Sequence, residues 1–132
     1  MAEIRCIVVT PERTALETTS DFVAIPLCDG ELGILPGRAP LIGRLGFGEL
    51  RLRSGNQVTR YYLDGGFVQV VGDTVTLLTE RAVPAGDVNA ESAHDQLRHA
   101  LQRPIATREQ ESIRDRLVAQ ARAQIRVSGG DH

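Results

Sequence analysis

Three histidines, two cysteines and two glycine-rich strings are the residues of this sequence best suited to chemistry, and their spacing serves none. His94, His99 and His132 form no H-x-H or H-x-x-x-H pair, and no Cys/His cluster has metal-ligand spacing. His94 and His99 are five apart on a helical segment, so they face different sides and read as solvated. The serines lack a G-x-S-x-G setting. Cys6 and Cys28 have no histidine near them in sequence, although distance in sequence leaves proximity in space open. Gly30-Glu31-Leu32-Gly33 and Gly43-Arg44-Leu45-Gly46-Phe47-Gly48 look loop-like, yet neither fits a Walker loop and no Lys exists to serve one. They read as bends and hairpin turns. The acids are scattered, with no paired general acid and base. The residues predict no catalytic site, no metal and no cofactor.

What such residues must be mounted on is bounded by size and charge. A chain of 132 residues supports one modest core plus an appendage. With two Tyr, three Phe and no Trp, that core must rest on Val, Leu and Ile. The net charge of −2 gives no support to a polyanion-binding role, so no nucleic acid is expected. All fifteen basic residues are Arg, which reads first as a compositional bias and second as selection for guanidinium geometry. Residues 1–87 carry a balance of −3 and residues 88–132 a balance of +1. Two cysteines make no disulfide framework; both lie in apolar runs and are expected to be buried and reduced. No run approaches the roughly eighteen apolar residues of a membrane span, and the opening Met1-Ala2-Glu3-Ile4-Arg5 reads as a strand without a signal peptide. A cytosolic protein without direct membrane insertion is expected, any membrane association coming through a partner.

Residues 3–83 read as successive short strands: Glu3–Val9, Phe22–Leu27, Leu50–Arg53, Val58–Leu63, Phe67–Val71 and Val75–Thr79. In Leu50-Arg51-Leu52-Arg53 apolar and charged side chains alternate, as a half-buried strand requires. Turn signals separate the runs, among them Thr10-Pro11, Asp29-Gly30, Pro36-Gly37, Ser54-Gly55-Asn56, Asp64-Gly65-Gly66 and Gly72-Asp73. The pattern predicts a β-sandwich or barrel.

After Pro84-Ala85-Gly86-Asp87 the period shifts from two toward 3.6. Asn89 caps a first helix whose Ala93, Leu97, Ala100 and Leu101 share a face; Arg103-Pro104 ends it. Thr107-Arg108-Glu109-Gln110 has the form of a capping box for a second helix, with the stripe Ile113, Leu117, Ala121 and Ile125 and a close at Val127-Ser128-Gly129-Gly130. The expected architecture is a sandwich of about ten short strands over residues 1–84, followed by an antiparallel two-helix hairpin over 88–127. Isolated helices of roughly 12–15 residues are marginal in water, so these need each other, the sandwich or another protein. Either a movable hairpin or a permanently packed one satisfies that requirement.

Specific strings carry a resemblance. Gly30-Glu31-Leu32-Gly33-Ile34-Leu35-Pro36-Gly37-Arg38-Ala39-Pro40-Leu41 resembles the G-E-[LI]-G-[IV]-[LY]-P-G-H-A-P-L block of the epsilon subunit of F-type ATP synthases, called delta in mitochondria. Asp64-Gly65-Gly66-Phe67-Val68-Gln69-Val70 with Val75-Thr76-Leu77-Leu78-Thr79-Glu80 is similar to its second block, and Ile7-Val8-Val9-Thr10-Pro11-Glu12 fits its opening.

The resemblance implies a non-catalytic rotor subunit at the foot of the central stalk. It would bind the gamma shaft, rest on the membrane rotor ring and carry proton- or sodium-driven rotation to the catalytic head. It would lie on the cytoplasmic side of the bacterial inner membrane, peripheral through the complex. By motif position Glu31 faces the ring, while Thr10, Arg38 and Gly43 face the shaft. Arg38 replaces the usual His and so keeps a permanent charge. A solvated turn pair is the other reading of Glu31 and Arg38. In some relatives the helices extend to the alpha and beta subunits and restrain hydrolysis. Arg108, Arg114, Arg116, Arg122 and Arg126 would then meet an acidic segment there, or else remain on a solvated face. Relatives that bind ATP at the hairpin carry an I-D-x-x-R-A motif; here Asn89 and Ser92 replace its Asp and Arg, which counts against ATP sensing. Two other readings stand beside this one, a free-standing nucleotide sensor and a small cupin-type enzyme.

Overall fold

A computed structural model describes residues 3–129. The expectations placed on Met1, Ala2, Gly130 and His132 fall outside them. Eight strands form: β1 (Ile4–Val9), β2 (Thr14–Ser20), β3 (Phe22–Leu27), β4 (Gly30–Ile34), β5 (Leu41–Ser54), β6 (Gln57–Val71), β7 (Thr74–Leu78) and β8 (Ala82–Pro84). They join in the order β2-β1-β7-β6-β5-β3-β4, with β8 on β6; β1 and β7 are parallel and the other pairs antiparallel. The sheet folds over itself, so that Val8, Val68 and Val75 meet Val23, Ile25 and Leu52 in one aliphatic core.

The strands are fewer and longer than the sequence suggests. Leu50–Arg53 is the end of the 14-residue β5, and Val58–Leu63 and Phe67–Val71 are the two ends of the 15-residue β6. Asp64-Gly65-Gly66 is therefore a bend within a strand, not a turn. Pairing to β5 keeps one register on both sides of it, from Leu52↔Thr59 to Leu41↔Val70. What changes is the inward side: Tyr61 and Leu63 face the core before the bend, Val68 and Val70 after it. Gly65 and Gly66 have φ of +75° and +116°, values an L side chain rarely adopts. A Cβ on Gly66 would also lie 1.8 Å from the Leu78 carbonyl oxygen. The bend needs glycine twice over.

The strings Gly30–Gly33 and Gly43–Gly48, expected as loops, are also strand. Gly33 leaves room for the Phe22 ring, which sits 2.9 Å from where a Cβ would be and would have to shift for any larger residue. Burial separates the cysteines: Cys6 is fully buried, but Cys28 sits in the β3–β4 turn and is exposed, because the apolar run ends at Leu27.

A short 3-10 turn (Ala85–Asp87) leads to α1 (Ala90–Leu101) and α2 (Arg108–Gly129). Asn89 caps α1, accepting from the Ser92 N–H at 2.9 Å. The capping box of α2 forms in both directions. Gln110 N–H donates to Thr107 Oγ1 at 3.1 Å, and Gln110 Oε1 accepts from the N–H groups of Thr107 and Ala106. Of the expected stripes, Ala93, Ala100 and Ala121 are buried, Leu97, Ile113, Leu117 and Ile125 half-buried, and Leu101 exposed. The part sequence reading missed is a second buried face on α2. Ala123 and Val127 pack with Tyr62 and Ala85 against Phe47 and Val83 on the outside of the sheet.

Candidate functional site

Two surfaces stand out, and they meet at the β5–β6 bend, where Gly66 and Phe67 border both. The first is an apolar face built by β1, β7, the end of β6 and the start of β5. Cross-strand pairing aligns Val9, Leu78, Phe67 and Arg44 in one row, and Ile7, Thr76, Gln69 and Ile42 in the next. Alternation along each strand points these side chains away from the core that Val8, Leu77 and Val68 fill. Ile42 is 79% exposed, Phe67 53% and Leu78 52%, with Val71 beside them. Arg44 lies over the Phe67 ring, 5.8 Å from its centre. Contiguous exposed apolar area on a small domain marks a contact surface.

The expected shaft residues distribute around this face. Thr10 follows Val9 and lines a hollow with Phe67 and Leu78; its hydroxyl and amide both donate to the Arg13 carbonyl. Arg38 lies toward the other end, in the loop from β4 to β5. There Gly37 N–H donates to Asp73, two residues beyond Val71. Arg38 is exposed and makes no ion pair among the described residues. Gly43 is half-buried opposite Val68, between Ile42 and Arg44, which carry the outward side chains. Ile42, Phe67 and Leu78 are the residues the sequence reading passed over; their signal is the outward half of an alternating strand with apolar types on both sides.

The second surface carries the helices. Tyr62 is fully buried beneath α2. Its hydroxyl donates to Asp64 at 2.9 Å, and Gln120 of α2 donates to the same oxygen at 2.6 Å. Burial, and then the Asp64 carboxylate, push the Tyr62 phenol well above its ordinary range. Beside it Arg60 donates to Glu49 at 2.8 Å and to the Val127 carbonyl, in the last turn of α2, at 3.1 Å. Glu49 also faces Arg51, which pairs with Glu31 at 2.8 Å. Glu31 thus sits on β4 at the end of a charge row leading to α2, and its partner is Arg51, not Arg38.

The five arginines of α2 divide. Arg116, Arg122 and Arg126 border a groove beside the β5–β6 bend, whereas Arg108 is at the start of the helix and Arg114 leans toward Asp115 at 3.8 Å. Asn89 and Ser92 line a hollow of about 160 Å³ with Tyr62, Arg81 and Gln124, smaller than the roughly 300 Å³ at which small-molecule pockets begin. His94 and His99 are exposed. Among the described residues no group of three His, Cys, Asp or Glu is placed to hold a metal ion, and no helix is long and apolar enough to cross a membrane.

Residues 3–85 match the family model for the β-sandwich domain of the ATP synthase delta/epsilon chain. The chain belongs to the ATP synthase delta/epsilon family. The ATP synthase epsilon chain of Rhodopirellula baltica is 52% identical to it over 95% of this chain and 98% of its own length. That of Granulibacter bethesdensis is 40% identical over 76% of this chain and 75% of its own. In fold it is similar to a chain of the Euglena gracilis mitochondrial ATP synthase solved with OSCP, F1 and c-ring. That match has a TM-score of 0.84 and 20% identity, covering 93% of this chain and 79% of that one. A member of this family is a non-catalytic stalk component of a membrane-associated complex.

Proposed function

We propose that this chain joins the shaft of the rotor to the membrane ring, so that ion-driven rotation reaches the catalytic head without slip. The observation that carries the reading is the apolar outer face. Ile42, Phe67, Val71 and Leu78 are exposed on one face of neighbouring strands, a surface that water disfavours and a partner would cover. In this reading the sandwich over residues 1–84 is the rotor-binding part. The gamma shaft seats on the apolar face, with Thr10 and Arg38 toward its ends and Gly43 between. Glu31, on β4 at the end of the sheet order, meets the polar loops of the ring. The helices over 88–127 are regulatory: released from Tyr62, they reach the alpha and beta subunits, where Arg108, Arg114, Arg116, Arg122 and Arg126 meet acidic side chains and restrain hydrolysis. The complex sits on the cytoplasmic side of a bacterial inner membrane.

The test is a pull-down of tagged full-length chain from its native membranes, with partners identified by mass. Alpha, beta, gamma and ring subunits are expected with the native chain, and loss of gamma, with the alpha and beta subunits it carries, with Phe67→Asp. Active synthase purified free of this chain would overturn the proposal.

A further inference from the structure

One feature is absorbed neither by the apolar face nor by the packing of the helices. An open groove of about 980 Å³ runs between α2 and the β5–β6 bend, and four guanidinium groups border it: Arg44, Arg116, Arg122 and Arg126. All four are exposed, and none forms an ion pair among the described residues. The one acid in its wall, Asp64, already accepts from Tyr62 and Gln120. Arg44 comes from the sheet and the other three from the helix, so the basic wall exists only while α2 is docked.

We propose that this groove holds an acidic segment of the shaft subunit while the helices are docked, so that the shaft itself retains them. The inference rests on the functional reading above. Two observations favour the shaft as the occupant. The groove is continuous with the apolar face: Gly66 and Phe67 line both, and Arg44 lies across the Phe67 ring. A partner seated on Phe67 therefore arrives at its mouth. From Arg116 to Arg126 the helix rises about 15 Å, which suits an extended run of carboxylates better than one compact phosphate group. Guanidinium forks pair with carboxylates bidentately, and four of them give charge complementarity to such a run. Arg116, Arg122 and Arg126 cannot serve the shaft and the catalytic head together, so the two positions of the helices compete for the same side chains.

Two measurements test this on the full chain with the alpha–beta–gamma complex stripped of it. Arg122→Gln/Arg126→Gln, both exposed, should bind that complex about tenfold more weakly at low salt, and with a shallower salt dependence. Cys28 lines the groove and is exposed while Cys6 is buried, so a photo-crosslinker on the native Cys28 thiol reports the occupant. A crosslink to an Asp/Glu-rich gamma peptide is expected. Unchanged affinity and salt dependence, with Phe67→Asp still abolishing binding, would overturn the groove while leaving the functional reading intact. Crosslinks to alpha or beta alone would overturn it too, as would protection of Cys28 by ATP without any change in shaft affinity. Failure of the native chain to bind gamma at all would sink the functional reading itself.

Discussion

Gln120 of α2 and Asp64 of β6 meet at 2.6 Å, 56 residues apart in sequence, on an oxygen that also accepts the buried Tyr62 hydroxyl. This is the polar half of the helix–sheet contact; the apolar half is small, resting on Ala123 and Val127 against Tyr62 and Phe47. The hydrogen-bonded node sits beside that apolar contact and ties the middle of α2 to the sheet. Gln120→Ala, which removes a donor to a carboxylate, and Asp64→Ala, which takes the acceptor from both the Gln120 amide and the Tyr62 hydroxyl, should each cost about 1–3 kcal/mol of docking. Trypsin cleavage within α2, after Arg114, Arg116 and Arg122, should rise about tenfold while cleavage in the sheet is unchanged. The double variant should add little to either single one. Equal protection of α2 in all three would show that the node does not hold the helix.

Arg60 makes the second tie, at the far end of the helix. Its guanidinium donates to the Val127 carbonyl, one of the last-turn carbonyls that lack an intrahelical donor, and is itself held by Glu49. Arg60→Met keeps the aliphatic stem and removes the donors. Hydrogen exchange should then accelerate over the last turn of α2, residues 124–129, with α1 and the N-terminal half of α2 unaffected. Uniform acceleration along both helices would mean that Arg60 stabilises the sheet and not the helix end.

Gly66 is constrained by both conformation and contact. Its φ of +116° disfavours any side chain, and a Cβ would overlap the Leu78 carbonyl oxygen. Gly66→Ala should therefore prevent folding or cost more than about 4 kcal/mol, in the range kept for broken special positions. Gly55→Ala is the control: its φ is +61°, but nothing lies within 4 Å of the added carbon, so about 1 kcal/mol is expected. Urea melts of the two variants decide the matter, and similar losses would remove the steric argument.

How far the sequence could be read follows the range of the interactions. Helix ends are local, and both caps, Asn89 and the Thr107/Gln110 box, form where the residue types place them. The strand runs are legible from alternation, but their fusion into β5 and β6 is not. Gly65-Gly66 is a turn signal taken alone, and only the unbroken pairing with β5 makes it a bend. For the same reason β2 and β4 escape notice, since Thr14–Ser20 is polar and β4 begins and continues with glycine. The apolar face could be seen only once β7 and β6 were known to be neighbours, which puts Leu78 beside Phe67. The Glu31–Arg51 pair joins β4 to β5, a tertiary contact that no spacing rule reports.

Alkaline pH should weaken this fold through Cys6. Its side chain is wholly buried, and burial raises the thiol from 9.0 to about 12. In the unfolded chain the thiol ionises above about 9, while in the folded protein it stays protonated, so across this interval the folded state binds more protons. Stability from this source is complete below pH 9 and is lost as pH climbs toward 12, at about 1.4 kcal/mol per pH unit. Tyr62, also buried and also shifted upward, adds loss at the alkaline end of the same window. Cys6→Ala should be less stable than the native chain at pH 7 because it opens a small cavity, yet its stability should fall less steeply between pH 9 and 11. Urea melts at several pH values give both slopes. Parallel slopes would mean that the thiol ionises in the folded protein too, and that the burial of Cys6 carries no pH dependence.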